Sequence, residues 1–176
     1  MGSIPLYPKE RNVACIATSG WKWMLGPIGT GLLYTSPEFR EKIGITIAGA
    51  DMMKQGEDFL NHDWNPHQSG RMFEYSTHQI ALGAGLDACI NELFVTYGIE
   101  NIKEEIFRLQ DLFLANLENN KFTPLVMPDK HRSGILALDC GNEDPTQVIN
   151  YLAENNIICS SRGGYLRIAP HFYNTE

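Results

Sequence analysis

Positive charge is scarce in this chain: Lys and Arg total 14 against 21 Asp and Glu, for a formal net charge of -7. No run of Lys or Arg occurs, so a general nucleic-acid surface is excluded, because the polyanion would be repelled. Cysteine is thin as well. Cys15, Cys89, Cys140 and Cys159 stand far apart with no CxxC pair, which reads as reduced thiols in a cytoplasmic protein. The opening MGSIPLYPKERNV places prolines and charges where a secretory leader needs a continuous apolar stretch. Leu6 stands where a myristoylation signal has Ser or Thr. No apolar run is long enough to predict a membrane span. What is present is the make-up of a packed domain: 176 residues, 43% apolar, 10% aromatic and 20% charged, too apolar for a disordered chain.

Along the chain, VACIAT (13–18) reads as a short buried strand. SGWKWMLGPIGTG then carries Gly20, Gly26, Pro27, Gly29 and Gly31, which forbid a regular helix and force a turn before a second strand, LLYTS. Ser36-Pro37 opens one or two helical turns over 37–43. From Ile45 to Arg71 no period survives, and the segment reads as a long irregular loop. A helix begins near His78, with Leu82, Leu86, Cys89, Leu93 and Tyr97 as one apolar stripe and Gly98 as its stop. Gly83 and Gly85 cost helix propensity, which calls for a close neighbour. A second helix from about Asn101 carries Ile102, Ile106, Leu109, Phe113 and Leu117 on one face and is ended by Asn119-Asn120.

A different texture follows: ILALD as strand, Asp144-Pro145 as helix start, TQVINYLAEN as helix, IICSS as strand, Arg162-Gly163-Gly164 as turn and YLRIA as strand. This predicts a small α/β lobe. The two prolines of KFTPLVMPDKHRS mark its junction with what precedes.

Lys22 stands between Trp21 and Trp23 in the glycine-rich turn. An ammonium held among indoles loses hydration, which lowers its pKa and raises the fraction of nucleophilic amine able to form a Schiff base. The plain alternative is a lysine stem lying on tryptophan with its head in water.

The segment ATSGWKWMLGPIGTGLLY (17–34) resembles the pyridoxal-phosphate attachment segment of the class V aminotransferase family. There, small residues precede the cofactor-bearing lysine and a Gly-Pro-x-Gly-x-Gly turn leads into a strand. FEYST followed by a small-residue helix resembles the family's Phe-Glu-x-Gly-Thr element. RSGILALD and IICSSRGGYLRIAPHFYNTE resemble its C-terminal lobe. The resemblance implies that Lys22 carries pyridoxal 5'-phosphate and later moves a proton. Arg167 would grip the substrate α-carboxylate with its planar fork; alone, it reads as a strand-surface arginine. Thr30 and Thr77 fall where family members offer donors to the cofactor phosphate, often across a dimer interface, although a threonine in a glycine turn is also a common structural residue. Trp21 stands where the family often has a histidine directed at the cofactor, and Ser76 where it usually has glycine.

The related cysteine desulfurases carry a thiol in the loop before the carboxylate-binding arginine. Here that segment is an Arg-Gly-Gly turn, and Cys159 reads as a strand residue, so desulfuration ranks behind epimerase-like and aminotransferase-like chemistry. The family's phosphate-binding turn, ring-stacking aromatic and ring-nitrogen aspartate cannot be assigned, and Asn174-Thr175-Glu176 reads as a helix start with no helix after it. The expected fold is thus α/β, part of a pyridoxal-phosphate-dependent transferase fold. Residues 1–120 would be the end of the large cofactor-binding domain, and 121–176 a small lobe cut before its last helix. The expected function is that of a fragment acting on an amino acid through Lys22, inactive alone and homodimeric when whole. The alternatives are a non-catalytic α/β binding or assembly module, or a cysteine desulfurase-like enzyme fragment. His62, Asp63 and His67 fit no standard zinc spacing, so no metal is expected. His171 near Arg167 could face substrate or simply fill the surface or core.

Overall fold

The computed structural model describes residues 1–117 and 121–176. The expected helix stop at Asn119-Asn120 lies outside the described residues. Two compact units emerge: one holds Leu6–Thr96 with Met1, the other Tyr97–Glu176 with Gly2–Pro5.

In the first unit, strands β1 (Cys15–Ser19) and β2 (Gly31–Thr35) form an antiparallel ribbon that pairs Cys15 with Thr35 and Ser19 with Gly31. Both strands lie where the apolar runs placed them. The predicted burial is absent: Cys15 is exposed and the rest of β1 is at most half-buried, since β2 is the only strand it pairs with among the described residues. Helix α1 (Pro37–Lys42) starts as its sequence dictates, with the Phe39 N–H donating to Ser36 Oγ at 3.1 Å and Pro37 in the first turn. The long segment after it holds two 3-10 turns, Ala50–Met52 and Gly70–Phe73, and a bridge between Met53 and Pro66. Met52 is fully buried and Met72 nearly so, so this loop is pinned by two methionines that carry no periodic signal.

Helix α2 (Ile80–Cys89) passes into wider π-helical turns over Ile90–Gly98, and helix α3 (Ile99–Ala115) follows at once. Gly98 has φ +98°, the left-handed conformation that glycine tolerates and that breaks helical bonding. The run Ile80–Ala115 is 36 residues with mean hydropathy 1.2. One helical stretch is therefore long and apolar enough to cross a membrane, contrary to the expectation from the sequence. Only 6% of that window is buried in this structure, and Gly98 divides the stretch.

The second unit is a four-stranded antiparallel sheet in the order β3 (Thr123–Pro124), β4 (Leu136–Asp139), β6 (Tyr165–Ile168), β5 (Ser160–Arg162). Helix α4 (Pro145–Glu154) opens on Asp144, whose Oδ1 accepts the Thr146 N–H at 2.9 Å. Leu136, Leu138, Cys140 and Leu166 form the core, with Phe113 and Leu114 of α3 and Val148 and Leu152 of α4 packed against them. Because α3 packs on this sheet, compactness divides the chain at Tyr97, ahead of residue 121. The predicted strand IICSS shortens to its end: Ile157 and Ile158 are exposed and unpaired by the sheet.

Candidate functional site

The connection between β1 and β2 is stitched by its own backbone. Gly20 N–H donates to Thr30 O at 2.8 Å, Gly26 N–H to Gly20 O at 2.9 Å and Leu25 N–H to Lys22 O at 3.1 Å. Lys22 therefore projects from a closed turn rather than a loose loop. Its side chain is exposed, and Nζ lies 5.0 Å from the centre of the Trp21 ring, within range of a cation–π contact. The desolvation expected from two flanking indoles is absent: Trp21 is itself 46% exposed. Leu25 adopts φ +57°, a strained choice for a branched side chain that no sequence signal marked.

Small residues bring α2 against this turn. A methyl group on Gly85 would stand 2.7 Å from Pro27 Cγ, and one on Gly26 would stand 2.7 Å from Leu86 Cδ1. Gly20 is as crowded, 2.7 Å from Thr30 Oγ1. Gly85 thus has the close neighbour its helix cost called for, whereas Gly83 meets nothing. Of the residues that position the turn, sequence reasoning read Pro27 as a turn former and Leu86 as part of an apolar stripe, without placing the two segments together, and did not single out Leu25. The small-residue spacing could have pointed to the first two.

The predicted donors differ. Thr30 directs its hydroxyl (2.6 Å) and its N–H (3.2 Å) at Pro27 O, so in this arrangement it offers an incoming phosphate an oxygen rather than a donor. Thr77 and Ser76 are exposed just before α2, and among the described residues no acceptor takes the Thr77 hydroxyl. Gln79 leaves the α2 start without a side-chain cap, so helix N–H groups remain available there.

In the second unit, Arg167 lies on β6, directly across from Ala137 on one side and Ser160 on the other. It is half-buried, and its Nε is buried without an acceptor among the described residues. A buried donor left unmatched is costly, and a carboxylate would satisfy it. His171 is buried 7% exposed, its ring stacked on Tyr173 at 4.5 Å while Nδ1 accepts the Phe172 N–H at 3.0 Å. That is a packed ring inside an aromatic cluster. Cys159 lines an apolar hollow of about 600 Å³ with Phe113, Val148, Leu152 and Leu166, and burial raises its thiol pKa. Among the described residues no group of His, Cys, Asp and Glu is gathered to hold a metal, His62, Asp63 and His67 included.

The mixed α/β architecture of the two units is, in part, that of the pyridoxal-phosphate-dependent enzymes. The chain belongs to the class-V aminotransferase family, which it matches over residues 1–168. It is 27% identical over 178 aligned residues to a probable cysteine desulfurase of Methanothermobacter thermautotrophicus, covering 91% of this chain and 43% of that protein. The apo cysteine desulfurase of Thermococcus onnurineus NA1 superposes with a TM-score of 0.83 at 21% identity, over 99% of this chain and 46% of that one. The cystine C–S lyase C-DES, solved with its product cysteine persulfide, gives 0.80 at 22% identity, over 98% and 45%. The chain thus spans a little under half the length of these relatives. Pyridoxal phosphate is the cofactor this family implies, and a C-DES variant was solved with glycine covalently linked to it.

Proposed function

We propose that this chain is the lysine-bearing and carboxylate-binding part of a pyridoxal-phosphate enzyme that acts on an amino acid. The observation that carries the reading is Arg167, a half-buried guanidinium with a buried, acceptorless Nε in the C-terminal unit of a chain whose other unit presents Lys22 on a closed turn. The residues present fit the group. Lys22 has no carboxylate partner among the described residues, and the Thr77 hydroxyl and uncapped start of α2 would take a phosphate. When bound, the cofactor supplies an electron sink for the substrate Cα. Lys22 would hold it, and its freed amine would carry the Cα proton. Arg167 would orient the substrate through two carboxylate oxygens.

No residue in this chain is assigned to hold the ring nitrogen, so the 176 residues alone bind the cofactor weakly and turn over no substrate. The whole protein would work as a homodimer. Desulfuration, the activity in the relatives' names, needs a reactive thiolate beside the substrate. Here the turn before Arg167 carries glycines, and burial keeps the Cys159 thiol protonated. Transamination or epimerisation therefore fits these residues better.

The test is a spectral titration with pyridoxal phosphate. A visible band that borohydride bleaches and Lys22→Ala lacks is the expected result. The same band in Lys22→Ala, or none at millimolar cofactor, would favour a non-catalytic scaffold.

A further inference from the structure

The turn that joins β5 to β6 fixes more than a hairpin. Gly163 and Gly164 have φ +60° and +86°, the two consecutive left-handed residues of a two-residue turn matched to strand twist. That turn sets the register: Arg162 pairs with Tyr165 and Ser160 with Arg167. Directly paired residues share a face, and so do residues two apart on one strand. Ser160, Arg162, Tyr165 and Arg167 therefore lie on one face of the sheet. Leu138, Leu166 and Ile168 lie on the other, packed in the core with α3 and α4.

Both arginines of this face are unmatched. Arg40, Arg71, Arg108 and Arg132 each reach a carbonyl or carboxylate, while Arg11, in the first unit, has no side-chain acceptor among the described residues. Among the described residues Arg162 has no acceptor, and Arg167 leaves its buried Nε empty. Asp139, across from Tyr165 on the β4 side, places one carboxylate on the same face, one diagonal step from Arg167, with its Oδ1 accepting the Gly141 N–H at 2.9 Å. In a chain of net charge -7, two guanidinium groups one diagonal step apart, roughly 7–8 Å between backbones, outnumber the single carboxylate of Asp139 and make this a locally cationic face.

We infer that Arg162 is a specificity residue: it receives a second, side-chain carboxylate of the substrate whose α-carboxylate Arg167 holds, so that the substrate class is an acidic amino acid. This rests on the reading of Arg167 given above. Arg162 is exposed and on an edge strand, so its contribution is that of a solvent-screened pair, about a fivefold gain in affinity.

The experiment titrates the 176-residue chain with glutarate and with valerate, five-carbon acids that differ by one carboxylate, and follows the acids' own signals by saturation-transfer NMR, which tolerates self-association of the chain. Glutarate is expected to bind about fivefold more tightly than valerate. Arg162→Gln should bring the two to parity without changing valerate, and Arg162→Lys should restore part of the difference. Arg167→Gln should remove binding of both. Equal binding of the two acids, unaffected by Arg162→Gln, overturns the inference and leaves Arg167 as a carboxylate site. Failure of both acids to bind overturns both.

Discussion

Lys22 and Arg167 were visible in the sequence as chemical types, but their surroundings were not. Two tryptophans flank Lys22 in the chain, yet the Trp21 ring lies half exposed beside an exposed amine, because adjacency along a turn does not fix which way a side chain faces. Arg167 reads as a surface arginine until the register of β6 shows its Nε enclosed without an acceptor. Cys159 makes a separate prediction. Burial raises its pKa, so the folded chain holds this proton more tightly than the unfolded chain does. The stability it contributes is complete below the ordinary thiol pKa and is lost as pH rises through the raised folded value. Alkylation of Cys159 by iodoacetamide should therefore reach half its maximal rate at higher pH in the native chain than in urea. An equal or lower midpoint would contradict the assigned burial.

At the level of elements, caps and glycines did most of what the sequence promised. Ser36-Pro37 and Asp144-Pro145 start helices where their side chains can accept the N–H groups of Phe39 and Thr146. Asp144→Ala should cost about 1 kcal/mol, measured as a lower urea midpoint. The two α2 glycines separate by environment. Gly83→Ala meets no neighbour and should stabilise the helix by roughly 0.5–1 kcal/mol. Gly85→Ala drives a methyl into Pro27, so it should be net destabilising and should loosen the Lys22 turn. If both substitutions stabilise, the packing of α2 on the turn is wrong. Composition could say that glycines in a helix need a reason; only the contact with Pro27 shows which of them has one. The loop 45–71 was legible merely as aperiodic, since its anchors Met52 and Met72 are single residues with no spacing to betray them.

For the molecule as a whole, the exposed apolar side chains are the main fact. Leu60 is 90% exposed, Ile28 82% and Ile80 79% in the first unit, and Ile158 86% in the second. Surfaces of this kind drive association. The chain on its own should sediment as mixed oligomers and enhance the fluorescence of an apolar dye. A monodisperse monomer that leaves the dye dark would contradict that. The class of fold was readable from the lysine turn and the C-terminal strands. The sequence placed α3 with the residues before the proline-marked junction, whereas its packing on the C-terminal sheet groups it with the second compact unit.

The most direct measurement is the position of a covalent label. The chain is incubated with pyridoxal phosphate, reduced with borohydride, digested and mapped by mass spectrometry. The reduced pyridoxyl group should sit predominantly on Lys22, in preference to Lys9, Lys42, Lys54, Lys103, Lys121 and Lys130. Labelling spread over these lysines in proportion to their exposure would mean that the turn at Lys22 has no special claim on the cofactor.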